Sequence, residues 1–228
     1  MTAIVLPLVF ALAGAGVGWA LNPLAESVHR EHPDTPSIPR REIGLAIATA
    51  ALFGINGAVF GLTLHGVLNG VYIAILVVLT ATDLEHRLIP NRIILPAILL
   101  ALIAGILIDW QLRPMAWMTW KAVAYGGVTG LLFFGIAYGL ASVVYPGKIG
   151  LGMGDVTLAT FIGLAVGFPS AVVAVVLGVL LGGLLSILLL LTRRVTMQTA
   201  IPYGPFLIAG GLVALFWGPQ IIKWYLRM

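Results

Sequence analysis

The chain has 228 residues, 61% hydrophobic and 9% charged, with no cysteine and a formal net charge of +4. A water-surrounded core of this size cannot hide so much apolar surface, which excludes an ordinary soluble domain and makes the chain a polytopic membrane protein. The missing cysteines exclude disulfides, thiolate zinc sites and a cysteine nucleophile, and the basic balance reads as lysine and arginine anchoring of loops rather than nucleic-acid binding.

A spanning helix needs ~20 apolar residues. From the N-terminus, the stretches that meet or approach this are 3–21, 43–62, 65–82, 92–109, 121–144, 156–168, 171–192 and 204–224. The first lacks the basic flank of a signal peptide and reads as a retained span. Residues 22–42, NPLAESVHREHPDTPSIPRRE, read as the longest loop. The sixth stretch runs only from Val156 to Phe168, where Pro169 ends it. Its helix of ~20 Å is short against a ~30 Å hydrocarbon core, so it is expected to extend upstream or to sit inside the bundle. The expected fold is all-α: a polytopic transmembrane helix bundle of about eight spans, residues 1–228 forming one membrane-embedded domain.

Charge asymmetry orients this bundle. With the N-terminus outside, Arg30, Arg40, Arg41, Arg87, Arg92, Lys148, Arg193 and Arg194 fall inside, while Arg113, Lys121, Lys223 and Arg227 stay outside. The positive-inside rule favours that arrangement.

Ionisable groups in or beside a span are functional candidates. Glu26, Glu31, Asp34 and Glu42 belong to the first loop or its edge, and Asp109 to the opposite face. Asp83, Glu85 and Asp155 remain, at the ends of expected helices. Asp83 ends the third span and Asp155 begins the sixth. Two crossings lie between them, so both are expected at one face, the cytoplasmic one. Each has a plain alternative: Asp155 as a helix N-cap, Asp83 as a solvated residue balanced by Arg87. Taken as a pair they suit aspartyl chemistry, because two carboxyls at one site share a proton, one activating water and the other polarising a carbonyl. The glycines of GKIGLGMGD (147–155) would let an extended backbone approach the acid. His29, His32, His65 and His86 show no convincing ligand spacing, and no metal is expected.

Two motifs then resemble a family. TDLEHRLIPN (82–91) and GMGDVTLA (152–159) are similar to the active-site motifs of type IV prepilin peptidases, membrane aspartyl proteases of the GxGD type. GAGVGWALN (14–22), RREIGLAIATAALFG (40–54) and IPYGPFLIAGG (201–211) extend the resemblance over nearly the whole chain. The resemblance implies catalytic roles for Asp83 and Asp155, with Gly150, Gly152, Gly154, Pro90 and Asn91 along the substrate approach. It implies cleavage of the basic leader of prepilins or pseudopilins beside a glycine, at the cytoplasmic face of the inner membrane, with no cofactor for peptide cleavage. Many members carry a cytoplasmic domain with paired CxxC zinc motifs between the first two spans, and many methylate the new amino terminus with S-adenosylmethionine. Here the short 22–42 segment stands in place of that domain, which leaves methyl transfer and its cofactor open. A proton-coupled transporter is the alternative function; the clustering of acids at one face disfavours it. An assembly subunit that has lost turnover is a third, and the intact aspartates argue against it.

Overall fold

The computed structural model describes residues 2–31, 40–111, 119–144, 152–192 and 202–227. Among them the regular structure is helical throughout: α1 (Thr2–Ala20), α2 (Asn22–Glu31), α3 (Arg41–Phe60), α4 (Leu64–His86), α5 (Asn91–Gln111), α6 (Trp120–Val144), α7 (Met153–Val166), α8 (Ser170–Leu191) and α9 (Gly204–Tyr225). The expected helical membrane bundle is borne out. Among the described residues six segments are long and apolar enough to cross a membrane: Val5–Glu31, Arg41–Phe60, Leu64–His86, Trp120–Val144, Ser170–Leu191 and Gly204–Tyr225. Asn91–Leu107 and Met153–Val166 are apolar but shorter. The distribution of side chains matches a multi-pass membrane protein. Leu12, Val143, Leu180 and Leu184 are exposed, while Thr49, Asn56, Asn69, Thr82, Asp83 and Glu85 are buried.

The chain divides into two compact units, residues 1–93 and 94–228. In the first, α1 packs along α3. Small residues allow the contact. A Cβ on Gly14 would lie 2.6 Å from the Thr49 carbonyl oxygen, and one on Gly18 2.0 Å from Thr49 Oγ1. Close backbone approach of this kind is how helices associate where lipid replaces water. The helix α4 opens at Thr63, whose hydroxyl accepts the Gly66 N–H at 3.0 Å as an N-cap.

One expectation changes. Within 22–42, residues 22–31 are not loop but the helix α2, and α3 already begins at Arg41. Pro23 stands in the first turn, where its missing N–H is no loss. Ala25 and Val28, three apart, are the helix's buried residues, and α2 packs on α3 and α4.

The second unit is organised around α7. Its 14 residues make a helix of ~21 Å, too short for a full crossing. It starts three residues upstream of the expected boundary, at Met153, and is buried along most of its length. The glycines of α6 bring the two backbones together. A Cβ on Gly126 would lie 2.2 Å from the Gly163 carbonyl oxygen, one on Gly163 2.1 Å from that of Gly126, and one on Gly130 2.1 Å from that of Ala159. Gly167 ends α7 with φ +68, a left-handed conformation that glycine adopts freely. On the other side, α8 and α9 meet through Gly178 and Gly210, where a Cβ on Gly210 would lie 2.5 Å from the Ala174 carbonyl oxygen. A short helix carrying an acid is thus held in the unit's interior by backbone contact.

Gly163→Ala is expected to destabilise the protein by about 1–3 kcal/mol, because the added methyl meets rigid backbone. Gly183→Ala, where nothing lies within 4 Å, is expected to change stability little or raise it slightly. Thermal melting of both variants in one detergent checks the contrast.

Candidate active site

Asp83 lies in the last turn of α4 and is 4% exposed. The solvated alternative for this residue does not hold, because α4 runs past the expected boundary at residue 82 to His86 and places Asp83 inside the helix. The helix stops at Arg87, which takes a left-handed φ of 54 and donates its N–H to the Asp83 carbonyl at 2.8 Å. A non-glycine residue there carries strain of roughly 1–2 kcal/mol, so the stop is an enforced one. Residues 87–90 then lead into α5. Pro90 is half-buried, and its carbonyl accepts the Ile93 N–H at 2.9 Å, while Asn91 is exposed at the first position of α5.

Beside Asp83 the first unit holds a buried ionic cluster that sequence reasoning missed. Arg41 opens α3 and is 6% exposed. Its Nη1 donates to Glu85 Oε2 at 2.8 Å, its Nε donates to Asn22 Oδ1 at 3.0 Å, and its Nη2 pairs with Glu26. The Glu85 side chain is fully buried, and His86 Nε2 lies 3.5 Å from the same Glu85 oxygen. The His29 and His86 rings follow, with centroids 5.4 Å apart. The usable signal was scarcity: with 20 lysine, arginine, aspartate and glutamate residues in the whole chain, an arginine at the start of an apolar helix needs a partner.

In the second unit, Asp155 sits in the first turn of α7, buried at 9% exposure. It is not the N-cap. Gly152 holds that position, and Asp155, three residues on, folds back so that its Oδ2 accepts the Gly152 N–H at 2.9 Å. The Asp155 N–H in turn donates to the Gly152 carbonyl at 3.1 Å. The carboxylate therefore satisfies a free donor at the positive end of the helix. Tyr203, the residue before α9, senses this charge: its phenol is pushed up to about 12, by burial first and by Asp155 second. The Tyr203 ring is fixed between Phe134, at a centroid distance of 5.9 Å, and Gly182. A Cβ on Gly182 would come within 2.6 Å of the ring.

Gly152 differs from the packing glycines. Its φ of −91 is ordinary, and among the described residues a Cβ there would lie nearest Asp155 Oδ2, at 3.7 Å, and the Gly154 nitrogen, at 3.8 Å. Neither the backbone angle nor the described neighbours demand a glycine at this position. Gly154 is half-buried within the first turn of α7. Gly150 lies outside the described residues, as does His32. Among the described residues no group of three or more histidine, aspartate or glutamate side chains is arranged to hold a metal.

The type IV leader peptidase family matches residues 70–187, a segment that contains both aspartates and every residue singled out around them in the two motifs. A prepilin leader peptidase/N-methyltransferase of Bacillus subtilis is 32% identical over 182 residues, covering 80% of this chain and 68% of the relative. Proteins of the same name from Pseudomonas aeruginosa and Pseudomonas putida are 30% and 34% identical, over 84% and 64% of this chain. The chain spans 63% and 48% of those two relatives' own lengths. No solved structure matches.

Gly152→Ala is expected to leave the melting temperature in detergent essentially unchanged, within about 0.5 kcal/mol of stability, because the added methyl finds ordinary contact distances. A clear loss of stability would show that the fold itself needs this glycine.

Proposed function

The chain belongs to the type IV leader peptidase family, and from that premise we propose that it is a membrane aspartyl endopeptidase that removes the leader of type IV prepilins or pseudopilins, using Asp83 and Asp155 as an acid pair at the cytoplasmic face of the inner membrane. The observation that carries the proposal is the placement of the two acids. Each is a buried aspartate in the terminal turn of a helix, Asp83 at the C-terminal end of α4 and Asp155 at the N-terminal end of α7. The proposal takes α5 and α6 as two crossings, which would return those two ends to one side of the membrane.

The chemistry comes from the pair. Two nearby carboxyls do not both ionise readily, so one holds a proton and the other a charge. The charged one takes a proton from water as the water oxygen bonds to the scissile carbonyl carbon. The protonated one gives its proton to the carbonyl oxygen, producing a neutral tetrahedral diol. The newly protonated carboxyl then gives its proton to the amide nitrogen while the other carboxylate takes one from a diol hydroxyl, so that the C–N bond breaks to a new carboxyl and a new amine and the pair returns to its starting state. The surroundings of Gly152 support the reading: the described residues leave room beside its backbone for an extended peptide. Gly150, Gly154, Pro90 and Asn91 complete the proposed approach.

Methyl transfer is a separate matter. The relatives' names include it, and its donor would be S-adenosylmethionine. The cavity of about 560 Å³ among α1, α3 and α4 does not fit that group. It is lined by apolar side chains such as Val9, Phe10, Phe53 and Ile75, and these supply no partner for a sulfonium, a carboxylate or an adenine. The proposal is for peptide cleavage, and N-methylation of the mature amino terminus with S-adenosylmethionine stays open. The proposed partners are the prepilin substrate and the lipid bilayer, with no role for nucleic acid.

Purified protein incubated with a prepilin is expected to release the leader. Asp83→Asn and Asp155→Asn are each expected to lower the cleavage rate by roughly 10³-fold or more while still inserting in the membrane, since residues that act as a unit fail as a unit. Near-normal turnover by either variant would refute the pair. The wild-type rate is expected to rise and then fall with pH. At low pH both carboxyls hold protons and no base remains, and at high pH both are charged and no acid remains. A rate constant across acid and neutral pH would count against a shared proton.

A further inference from the structure

Tyr203 stands immediately before α9 and has no part in the chemistry above. Its backbone is fixed, because its carbonyl accepts the Phe206 N–H at 3.1 Å and the Leu207 N–H at 3.3 Å. Its ring is fixed as well, against Phe134 of α6 and Gly182 of α8. Phe134 is buried, whereas Tyr203 is half-buried.

Packing within the second unit brings Tyr203 level with Asp155 by two routes. Along α6, a Cβ on Gly130 would strike the Ala159 carbonyl oxygen, and one on Gly135 would lie 4.0 Å from Val156 Cγ1. Phe134 therefore sits alongside the first turns of α7, and the Tyr203 ring lies against Phe134. Along α9, a Cβ on Gly211 would lie 2.8 Å from the Ile162 side chain, and one on Gly218 would lie 2.7 Å from Ser170, just past the end of α7. The two contacts advance in the same sense, so α7 and α9 run parallel. Seven residues back, about two turns or ~10 Å, Ile162 leads to Asp155 and Gly211 to Gly204, the neighbour of Tyr203. The phenol is pushed up to about 12, by burial first and by Asp155 second, and so keeps its proton at neutral pH.

We infer that Tyr203 is a further catalytic residue of the peptidase: its hydroxyl donates a hydrogen bond to the scissile carbonyl oxygen as water attacks beside Asp155. The inference rests on the proposed aspartyl chemistry. No proton changes hands, since the phenol keeps its own. The carbonyl oxygen gains negative charge on the way to the diol, so a donor held in place beforehand stabilises that stage more than it stabilises bound substrate. The packing on Phe134 and Gly182 involves the ring. A phenylalanine would satisfy it equally, and the hydroxyl is the part that packing does not account for.

Tyr203→Phe removes the hydroxyl and keeps the ring. In purified, lipid-reconstituted protein acting on a prepilin, it is expected to lower kcat about 10-fold or more, with KM within about 3-fold and an unchanged melting temperature. A second readout compares two peptide isosteres of the cleavage junction, one carrying a tetrahedral hydroxyl in place of the scissile carbonyl and one carrying a methylene with no oxygen. Tyr203→Phe is expected to weaken binding of the hydroxyl isostere about 10-fold and to leave the methylene isostere within about 2-fold. A wild-type kcat, a loss that falls on KM, or equal effects on the two isosteres overturns the inference and leaves the peptidase reading standing. So does a Tyr203→Phe protein that no longer accumulates in the membrane, since the hydroxyl would then serve the fold. Failure of the wild-type protein to cleave any prepilin overturns the peptidase reading, and the inference with it.

Discussion

The structure depends on one constraint: charge inside a lipid-facing bundle has to be matched by charge or by oriented donors. An isolated ion in an apolar medium is unfavourable by far more than a folded protein's net stability, so buried ions occur paired and hydrogen-bonded. The two units meet the constraint differently. In the first, Arg41 gathers Glu85, Glu26 and Asn22 around one cation. In the second, Asp155 has a helix N-terminus and one backbone donor, Gly152. The first arrangement is a rigid brace. The second leaves a carboxylate in partial contact with its own helix and beside a phenol, Tyr203, that senses its charge.

That contrast assigns the helices their parts. Most of the apolar residues facing outward, on α1, α6 and α8 above all, have lipid to meet and no chemistry to do. Their glycines serve packing. Gly14, Gly18, Gly126, Gly130 and Gly163 are places where a methyl group would strike a neighbouring helix, mostly its backbone. At Gly152, beside Asp155, the described residues leave room for one. The same residue type thus performs two tasks, close helix contact in the bundle and an open flank at the acid, and only coordinates separate them.

Much of this was legible in the sequence, for physical reasons that differ by element. Long apolar runs announce spanning helices because lipid tolerates little else, and every expected stretch is found as a helix. The shortness of α7 was visible too, as was the pairing of an acid with each of two helix ends. The helix α2 was not, because its buried stripe is only Ala25 and Val28 amid charges and prolines. Nor was the Arg41–Glu85 bond, which joins residues 44 positions apart and leaves no local pattern. Arg41 read as one of the inside-loop charges and Glu85 as one of three candidate acids at helix ends, with no bond between them. The alternative reading of Asp155 as an N-cap arose because the glycines before it look like loop, whereas the helix takes in Met153 and Gly154 and moves the acid to its third position.

The central proposal is that Asp83 and Asp155 act as a pair. The absence of native cysteine makes a direct test available: introduce Asp83→Cys and Asp155→Cys together and treat membranes with a short bifunctional thiol reagent. The account predicts an intramolecular cross-link in the double variant, detected by mass spectrometry of the digested protein. It predicts none when Asp83→Cys is combined with Lys223→Cys instead. A double variant whose two thiols react with a small monofunctional reagent, yet never with each other through the linker, would contradict the pair.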